Sequence, residues 1–242
     1  MGFFDNLNVE NAEKETDSLG GFQTLTSDIY PAEIRMAYAH KSAGGAKGVI
    51  LDLLLKKQDG TDYEYRHTIY FTNKQGQATY ERNGKQYTIP GYNILNALAS
   101  HLAGKPLAGL NMDMRTLAIY DPTAGKEVPK EVPVLTDLIG AKFSVALLQK
   151  RENASKKDAT GEYVKTSQER FTNEIDKVLF TKEGKLYTHL ELETKQSKPE
   201  FEPEFADKWL EKNQYKLRDN YEKVEESGST DSGSSTSSVV YG

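Results

Sequence analysis

The stretch that decides the fold class is VILDLLLKKQDGTDYEYRHTIYFT, residues 49–72. Apolar and polar residues alternate in both of its halves, which is the pattern of strands with one buried face. The inward positions of the first half are Val49, Leu51, Leu53 and Leu55, with Asp52 and Lys56 outward. In the second half Tyr65, His67, Ile69 and Phe71 share one face, and Glu64, Arg66, Thr68 and Tyr70 share the other. Because the pair Asp59-Gly60 is typical of a hairpin turn, the stretch predicts two antiparallel strands.

The segments before and after this hairpin extend the β pattern. Residues 29–40 predict a strand with Ile34, Met36 and Tyr38 on one face and Arg35, Ala37 and Ala39 on the other. Glycines at 44, 45 and 48 predict a turn between this strand and the next, and Asn83-Gly84 predicts another tight turn. Further strands are predicted over 115–121, 126–134, 142–151 and 168–181, with a polar loop over 152–166.

Two segments have the period of a helix. Residues 92–103 place Ile94, Leu95, Leu98 and Leu102 along one stripe, and Gly104 predicts the helix end. Residues 203–216 predict a short amphipathic helix that presents Phe205, Trp209 and Leu210. Three antiparallel strands, a helix and further strands are the order of an OB-type Greek-key barrel. Order alone does not single out this fold, because other β-rich folds can also carry one internal helix. We therefore expect a mainly β fold: an OB-type five-stranded Greek-key barrel with an internal helix, an insertion over 104–141 and a short C-terminal helix.

Composition and charge divide the chain of 242 residues into three parts. The expected domain spans residues 22–221, between an acidic arm over 1–21 and a Ser/Gly-rich, mildly acidic tail over 222–242. Residues 1–28 carry a net charge of −5 and residues 222–242 one of −3, which leaves +3 for the rest. The chain has no cysteine, a mean hydropathy of −0.67 and no long apolar run. We therefore expect no disulfide, secretory leader or membrane span.

No sequence motif indicates a catalytic site. GGAKG at 44–48 lacks the spacing of a phosphate-binding loop and joins two strands, so it predicts a turn. Asp52, Asp59 and Asp62 lie around a hairpin without metal-ligand spacing, and the four histidines are scattered. We expect no catalytic residue, no metal site and no cofactor. A nuclease or other metal enzyme stays open as an alternative, and it needs three acids that converge in space.

Aromatic and basic residues are interleaved on the predicted strands. This combination suits a single-stranded nucleic acid, because bases stack on rings and Lys or Arg binds phosphate. The candidate nucleic-acid-binding residues are Arg35, Lys56, Tyr63, Arg66, Tyr70, Lys74, Tyr80, Arg82, Lys150 and Arg151. The alternative is structural: tyrosines at alternate positions pack sheets, and charged hairpin tips are often only solvated. His67 falls on the inward face, which favours a hydrogen-bonded core residue over a ligand.

Several longer segments resemble single-stranded DNA-binding proteins of tailed bacteriophages. They are YERNGKQYTIPGYNILNALASHLAGKPL from residue 80, KEVPKEVPVLTDLIG from 126, ATGEYV from 159, NEIDKVLF from 173 and FADKWLEKNQ from 205. The resemblance implies an OB-type core that coats exposed strands in phage DNA replication, recombination and repair, in the cytoplasm of the infected bacterial host. It also implies a C-terminal tail that contacts replication or recombination proteins. The tail departs from the family pattern, because its acids are spread out and Tyr241 is penultimate.

These observations predict a sequence-tolerant, non-catalytic protein whose partner is single-stranded DNA, with no membrane partner. The alternative is a virion or assembly protein that uses a β-rich domain and a flexible tail for protein docking. That alternative predicts stable oligomers and no affinity for DNA.

Overall fold

The computed structural model describes residues 24–121, 123–158 and 160–224. It is mainly β, with 52% strand and 19% helix, which confirms the predicted fold class at this level. The predicted acidic arm over 1–21 and all but the first residues of the predicted tail lie outside the described residues. No helix in the described ranges is long and apolar enough to cross a membrane.

The elements follow one another in an order dominated by strands. The strands are β1 (Asp28–Lys41), β2 (Lys47–Lys56), β3 (Asp62–Tyr70), β4 (Thr79–Arg82), β5 (Lys85–Thr88), β6 (Met112–Asp121), β7 (Lys126–Leu135), β8 (Lys142–Lys157), β9 (Tyr163–Lys182), β10 (Lys185–Tyr187) and β11 (Leu217–Asp219). The helices are α1 (Pro90–Leu102), α2 (His189–Ser197) and α3 (Phe205–Asn213), with short 3-10 turns at Leu107–Gly109 and Thr136–Leu138.

One open sheet organises the fold. Its strands lie in the order β10-β9-β8-β1-β2-β3, all antiparallel, while β11 joins β8 in parallel. Strands β6 and β7 form a ribbon that attaches to β1 through the pair Tyr38 and Val134. The sheet has nine strands and does not close, since β3 and β9 are not hydrogen-bonded to each other as strands. A five-stranded OB-type barrel is therefore not confirmed.

The alternation of the first hairpin is confirmed. Leu51, Leu53 and Leu55 are buried in the core, opposite the outward Asp52 and Lys56. In β1 the predicted alternation is wrong beyond Ile34, because a bulge between Ile34 and Met36 shifts the register by one residue. Ala37 therefore joins the core, and Tyr38 is buried on the other face, where β7 attaches.

Helix α1 begins two residues earlier than predicted. Pro90 is its first residue, a position where the missing N–H costs nothing. Leu95 and Leu98 are fully buried, and Gly104 with φ of 66° follows the helix end, as predicted. The helix contacts both β3 and β9, so it spans the open side of the sheet. Gly91 permits this close approach, since a Cβ there would lie 2.1 Å from the Tyr70 carbonyl oxygen.

The predicted loop over 152–166 is wrong. Strands β8 and β9 continue as a paired hairpin up to a turn at Asp158–Glu162. Most side chains of the distal part are exposed, so both faces carry polar residues and no alternation marks the strands.

The C-terminal helix is also shorter than predicted, because the chain turns after Asn213 and enters β11. Helix α2 was not predicted; it begins with a capping box between Thr188 and Glu191.

Candidate nucleic-acid interface

A cleft of about 1070 Å³ lies where β3 and β9 face each other without pairing. One wall comes from β2 and β3, including Asp52 and residues 63–67. The other comes from β8 and β9, including Lys150 and residues 170–174. The cleft therefore joins segments more than a hundred positions apart in sequence.

A hydrogen-bonded pair of rings forms the inner side of this cleft. The Tyr65 hydroxyl donates to the Asn173 carbonyl oxygen at 2.9 Å and lies 3.0 Å from His67 Nδ1. Because the hydroxyl has one proton, His67 Nδ1 carries a hydrogen and donates to Tyr65. Burial raises the pKa of Tyr65 and lowers that of His67, so both side chains stay neutral. His67 is thus a hydrogen-bonded interior residue, as predicted.

The cations of the cleft are largely held by neighbouring carboxylates. Arg66 binds Asp52 through two hydrogen bonds, at 2.5 and 3.0 Å, and these raise the pKa of Arg66. Lys150 lies 2.9 Å from Glu174. Arg170 is different, because it forms no ion pair with any described residue. Its guanidinium is therefore the cleft cation most available to an external anion.

The charges of the lining balance. Four basic residues line the cleft: Arg35, Arg66, Lys150 and Arg170. Four acidic residues line it as well: Asp52, Glu64, Glu152 and Glu174. A phosphate that enters must therefore replace a carboxylate as the partner of a cation, except at Arg170.

Aromatic rings lie beside these charges. Phe171 on β9 is 46% exposed, so its ring is accessible to a ligand. Tyr63 on β3 is half-buried on the opposite wall. An exposed ring beside an arginine is the combination that binds a base and its phosphate together.

The structure brings four of the ten predicted site residues to the cleft: Arg35, Tyr63, Arg66 and Lys150. The other six lie elsewhere. Lys56 pairs with Asp62 at the β2–β3 turn, and Tyr70 packs beside His40 at the end of β3. Lys74 lies in the next turn, with Tyr80 and Arg82 on the β4–β5 hairpin. Arg151 is bound by Glu169 and Asp219 and lies over the ring of Tyr221.

The β4–β5 hairpin forms a separate aromatic surface. The rings of Tyr80 and Tyr87 stack at 5.8 Å, and both are exposed. Tyr80 therefore has the exposure expected of a stacking residue, but it does not line the cleft.

Arg170 and Phe171 were missed by sequence reasoning. The signal for them was an adjacent basic and aromatic residue in the predicted strand 168–181. Both line the cleft, as do all residues from 170 to 174, because the open edge of β9 faces it.

The histidines are less scattered in space than in sequence. His101 Nε2 lies 2.7 Å from His189 Nδ1, and His189 faces Glu193 at 3.3 Å. No group of three or more histidines or acids suited to a metal ion is found within residues 24–121, 123–158 and 160–224.

No known protein family model matches the chain, and no curated protein sequence is significantly similar to it. The resemblance to phage single-stranded DNA-binding proteins therefore stands on the sequence segments alone.

Proposed function

We propose that the protein binds single-stranded DNA without sequence preference and without catalysis, and protects exposed strands in phage DNA replication, recombination and repair. The observation that supports this most is the cleft between β3 and β9. There the exposed Phe171 follows Arg170, a cation without an ion pair among the described residues. In the proposed mode, a base stacks on Phe171 while Arg170 binds the neighbouring phosphate. Stacking on a ring accepts any base, so no base-reading residue is needed.

The remaining cations extend the proposed path of the strand. Arg66 and Lys150 lie on opposite walls and are released when phosphate replaces Asp52 and Glu174. These ion pairs are partly exposed, and exposed pairs contribute about 0–1 kcal/mol each to stability. Replacing the carboxylate by phosphate therefore costs little free energy. Binding through such contacts weakens with salt, because each bound phosphate releases counterions.

The proposal includes an OB-type core. Its support is the spatial strand order β3-β2-β1-β8-β9, together with the position of α1 in the chain. Among these five strands β3 is the third in sequence, and α1 follows it after the β4–β5 hairpin. OB folds are partly open five-stranded barrels that bind oligonucleotides on the face of their second and third strands. In this reading β8 and β9 are the fourth and fifth strands, and the cleft is the opening between strands three and five. The ribbon and the β8–β9 extension are additions.

Partners and location follow from the same proposal. Single-stranded DNA is the ligand, and replication or recombination proteins are the proposed partners of the C-terminal tail, in the cytoplasm of the infected bacterial host. No cofactor or membrane takes part in the proposed mechanism.

The test is a pair of cleft variants with a matched control. We expect Phe171→Ala to weaken binding of an oligo-dT strand by about 1–3 kcal/mol, the usual loss for one stacked base. Arg170→Gln should weaken binding and lower the salt dependence by about one phosphate contact. Tyr163→Ala removes an exposed ring outside the cleft and should bind as the wild type does. Equal effects of Phe171→Ala and Tyr163→Ala, with both variants folded by circular dichroism, would refute this site.

A further inference from the structure

The ribbon of β6 and β7 leaves apolar side chains uncovered. Met112, Met114 and Tyr120 occupy alternate positions of β6 and are 61%, 56% and 56% exposed. Among the residues that the structure describes, the ribbon pairs with the rest of the sheet only through Tyr38 and Val134. A two-stranded ribbon is only marginally stable in water, so such a surface favours a further partner.

The two edges of the ribbon are protected very differently. Strand β7, KEVPKEVPVL, carries four charged residues and two prolines, which disfavour further pairing along its outer edge beyond the contact with β1. Strand β6, MDMRTLAIYD, has no proline, glycine or lysine, and its central segment TLAIY carries no charge. Within the described ranges, the outer edge of β6 pairs with no strand. The unpaired outer edge of β6 therefore also lacks the prolines and lysines that discourage pairing with another strand.

We propose that β6 pairs antiparallel with β6 of a second copy of this chain, around a two-fold axis at Ala118. In that register Arg115 faces Asp121 of the other copy, and Leu117 faces Ile119. Thr116 faces Tyr120 on the opposite side of the ribbon. Opposite charges and apolar pairs at directly facing positions are the contacts that stabilise antiparallel strands.

Other two-fold registers are poorer. Directly facing residues must lie on the same side of the sheet, so the axis passes through a residue. An axis at Leu117 sets Asp113 against Asp121, and one at Arg115 sets two arginines against each other. An axis at Thr116 sets Asp113 against Ile119. An axis at Met114 matches Asp113 with Arg115 but pairs only the end of the strand.

A second copy is favoured over an unrelated strand because β6 is complementary to itself in charge. The Asp121 carboxylate already accepts a hydrogen bond from Lys130 Nζ at 2.7 Å, and this contact lowers the pKa of Asp121 to about 2. Asp121 therefore stays charged and can pair with Arg115 of the other copy. The paired segment, residues 115–121, is short. Interfaces below about 1,000 Å² are weak, so we expect a dimer that dissociates on dilution in the micromolar range.

Disulfide trapping tests the register directly, because the chain has no cysteine of its own. In Ala118→Cys the two Cα atoms would lie about 4.5–5.5 Å apart across the axis, within the range of a disulfide. In Thr116→Cys the same two atoms would be roughly 14 Å apart. Both positions are exposed, so chance collisions affect them equally. We expect the full-length Ala118→Cys protein to form a reducible covalent dimer at least tenfold faster than Thr116→Cys under mild oxidation. Equal rates would overturn the proposal.

A second measurement does not depend on oxidation. Sedimentation equilibrium of the wild-type protein should show a mass that rises from 27.1 kDa toward twice that value with concentration. Ala118→Lys brings two lysines together at the axis and should stay monomeric, whereas Ala108→Lys in the exposed turn after α1 should dimerise normally. A wild-type mass of one chain at every concentration would overturn the proposal. Neither measurement uses nucleic acid, so its outcome is separate from that of the proposed function.

Discussion

His67 shows how burial controls the chemistry of a single residue in this protein. Its pKa is lowered chiefly by burial, and the nearby Glu174 opposes that shift only partly. His101 shifts in the same direction, by burial and by the neighbouring His189. Both histidines are therefore neutral in the folded protein at pH 7, and their protonation opposes folding.

We expect the folded state to lose stability as the pH falls below about 6.5, the ordinary pKa of histidine. Above that value both the folded and unfolded states are neutral at these positions, so the stability is complete. Below it the unfolded state takes up protons first, and the free energy of unfolding falls until the lowered folded-state pKa is passed. Thermal melting between pH 7.5 and 5 measures this effect.

The matched variant for that titration is His67→Gln. Its amide can still donate to Tyr65 but does not titrate, so its melting temperature should fall less between pH 7.5 and 5 than that of the wild type. His101 is still present in this variant, so a smaller decrease of the melting temperature should remain. The same pH dependence in both proteins would show that His67 does not contribute.

Whether a turn or a bulge could be predicted from the sequence depended on the identity of single residues. Asn83-Gly84 has positive φ at both residues, as its predicted tight turn requires. The bulge after Ile34 was not predictable, since Arg35 and Met36 are ordinary strand residues and only the pairing with β2 reveals the extra position.

At the scale of elements, the cleft exists because β3 and β9 are edges that face each other. The β2–β3 hairpin was predictable from strict alternation and a turn signal. The meeting of β3 with β9 was not, because the residues involved are far apart and alternation carries no information about which strands adjoin. Four candidate residues therefore lie together at the cleft, while Arg170 and Phe171 on the second wall were not among the candidates.

The carboxylates of the cleft lead to a prediction about affinity. Glu174→Gln removes the nearer of the two carboxylate partners of Lys150, leaving Glu152 at 3.8 Å, and makes the cleft more positive. Binding of oligo-dT should therefore tighten severalfold, on the order of 0.5–1 kcal/mol. Glu211→Gln makes the same change of net charge on α3, outside the cleft. We expect it to leave affinity nearly unchanged. Fluorescence anisotropy at low salt compares the two, and equal tightening would mean that only net charge matters.

At the scale of the whole molecule, the distribution of charge limits which interactions can supply affinity for DNA. The chain carries −5 overall, with −5 over residues 1–28 and −3 over residues 222–242, so the part between them is +3. The cleft itself balances four basic against four acidic residues. Affinity must therefore come from stacking together with a few phosphate contacts, more than from a long-range positive field.

The fold class was predictable at this scale and the architecture only partly. Alternation and turns determine that the protein is mainly β. The long insertion was recognised, but its role as a ribbon with a free edge required the structure, because the apolar residues of β6 would equally suit a buried strand.

Binding of a labelled oligo-dT strand and of the matching duplex, followed by fluorescence anisotropy across salt concentrations, tests the central claim most directly. We expect clear binding to the single strand and little to the duplex. If all four cleft cations contact phosphate, the logarithm of the affinity should fall with the logarithm of salt at a slope of about −3, from about −0.7 per contact. Absence of binding at low salt, or equal affinity for the duplex, would contradict the proposal and favour the assembly-protein alternative.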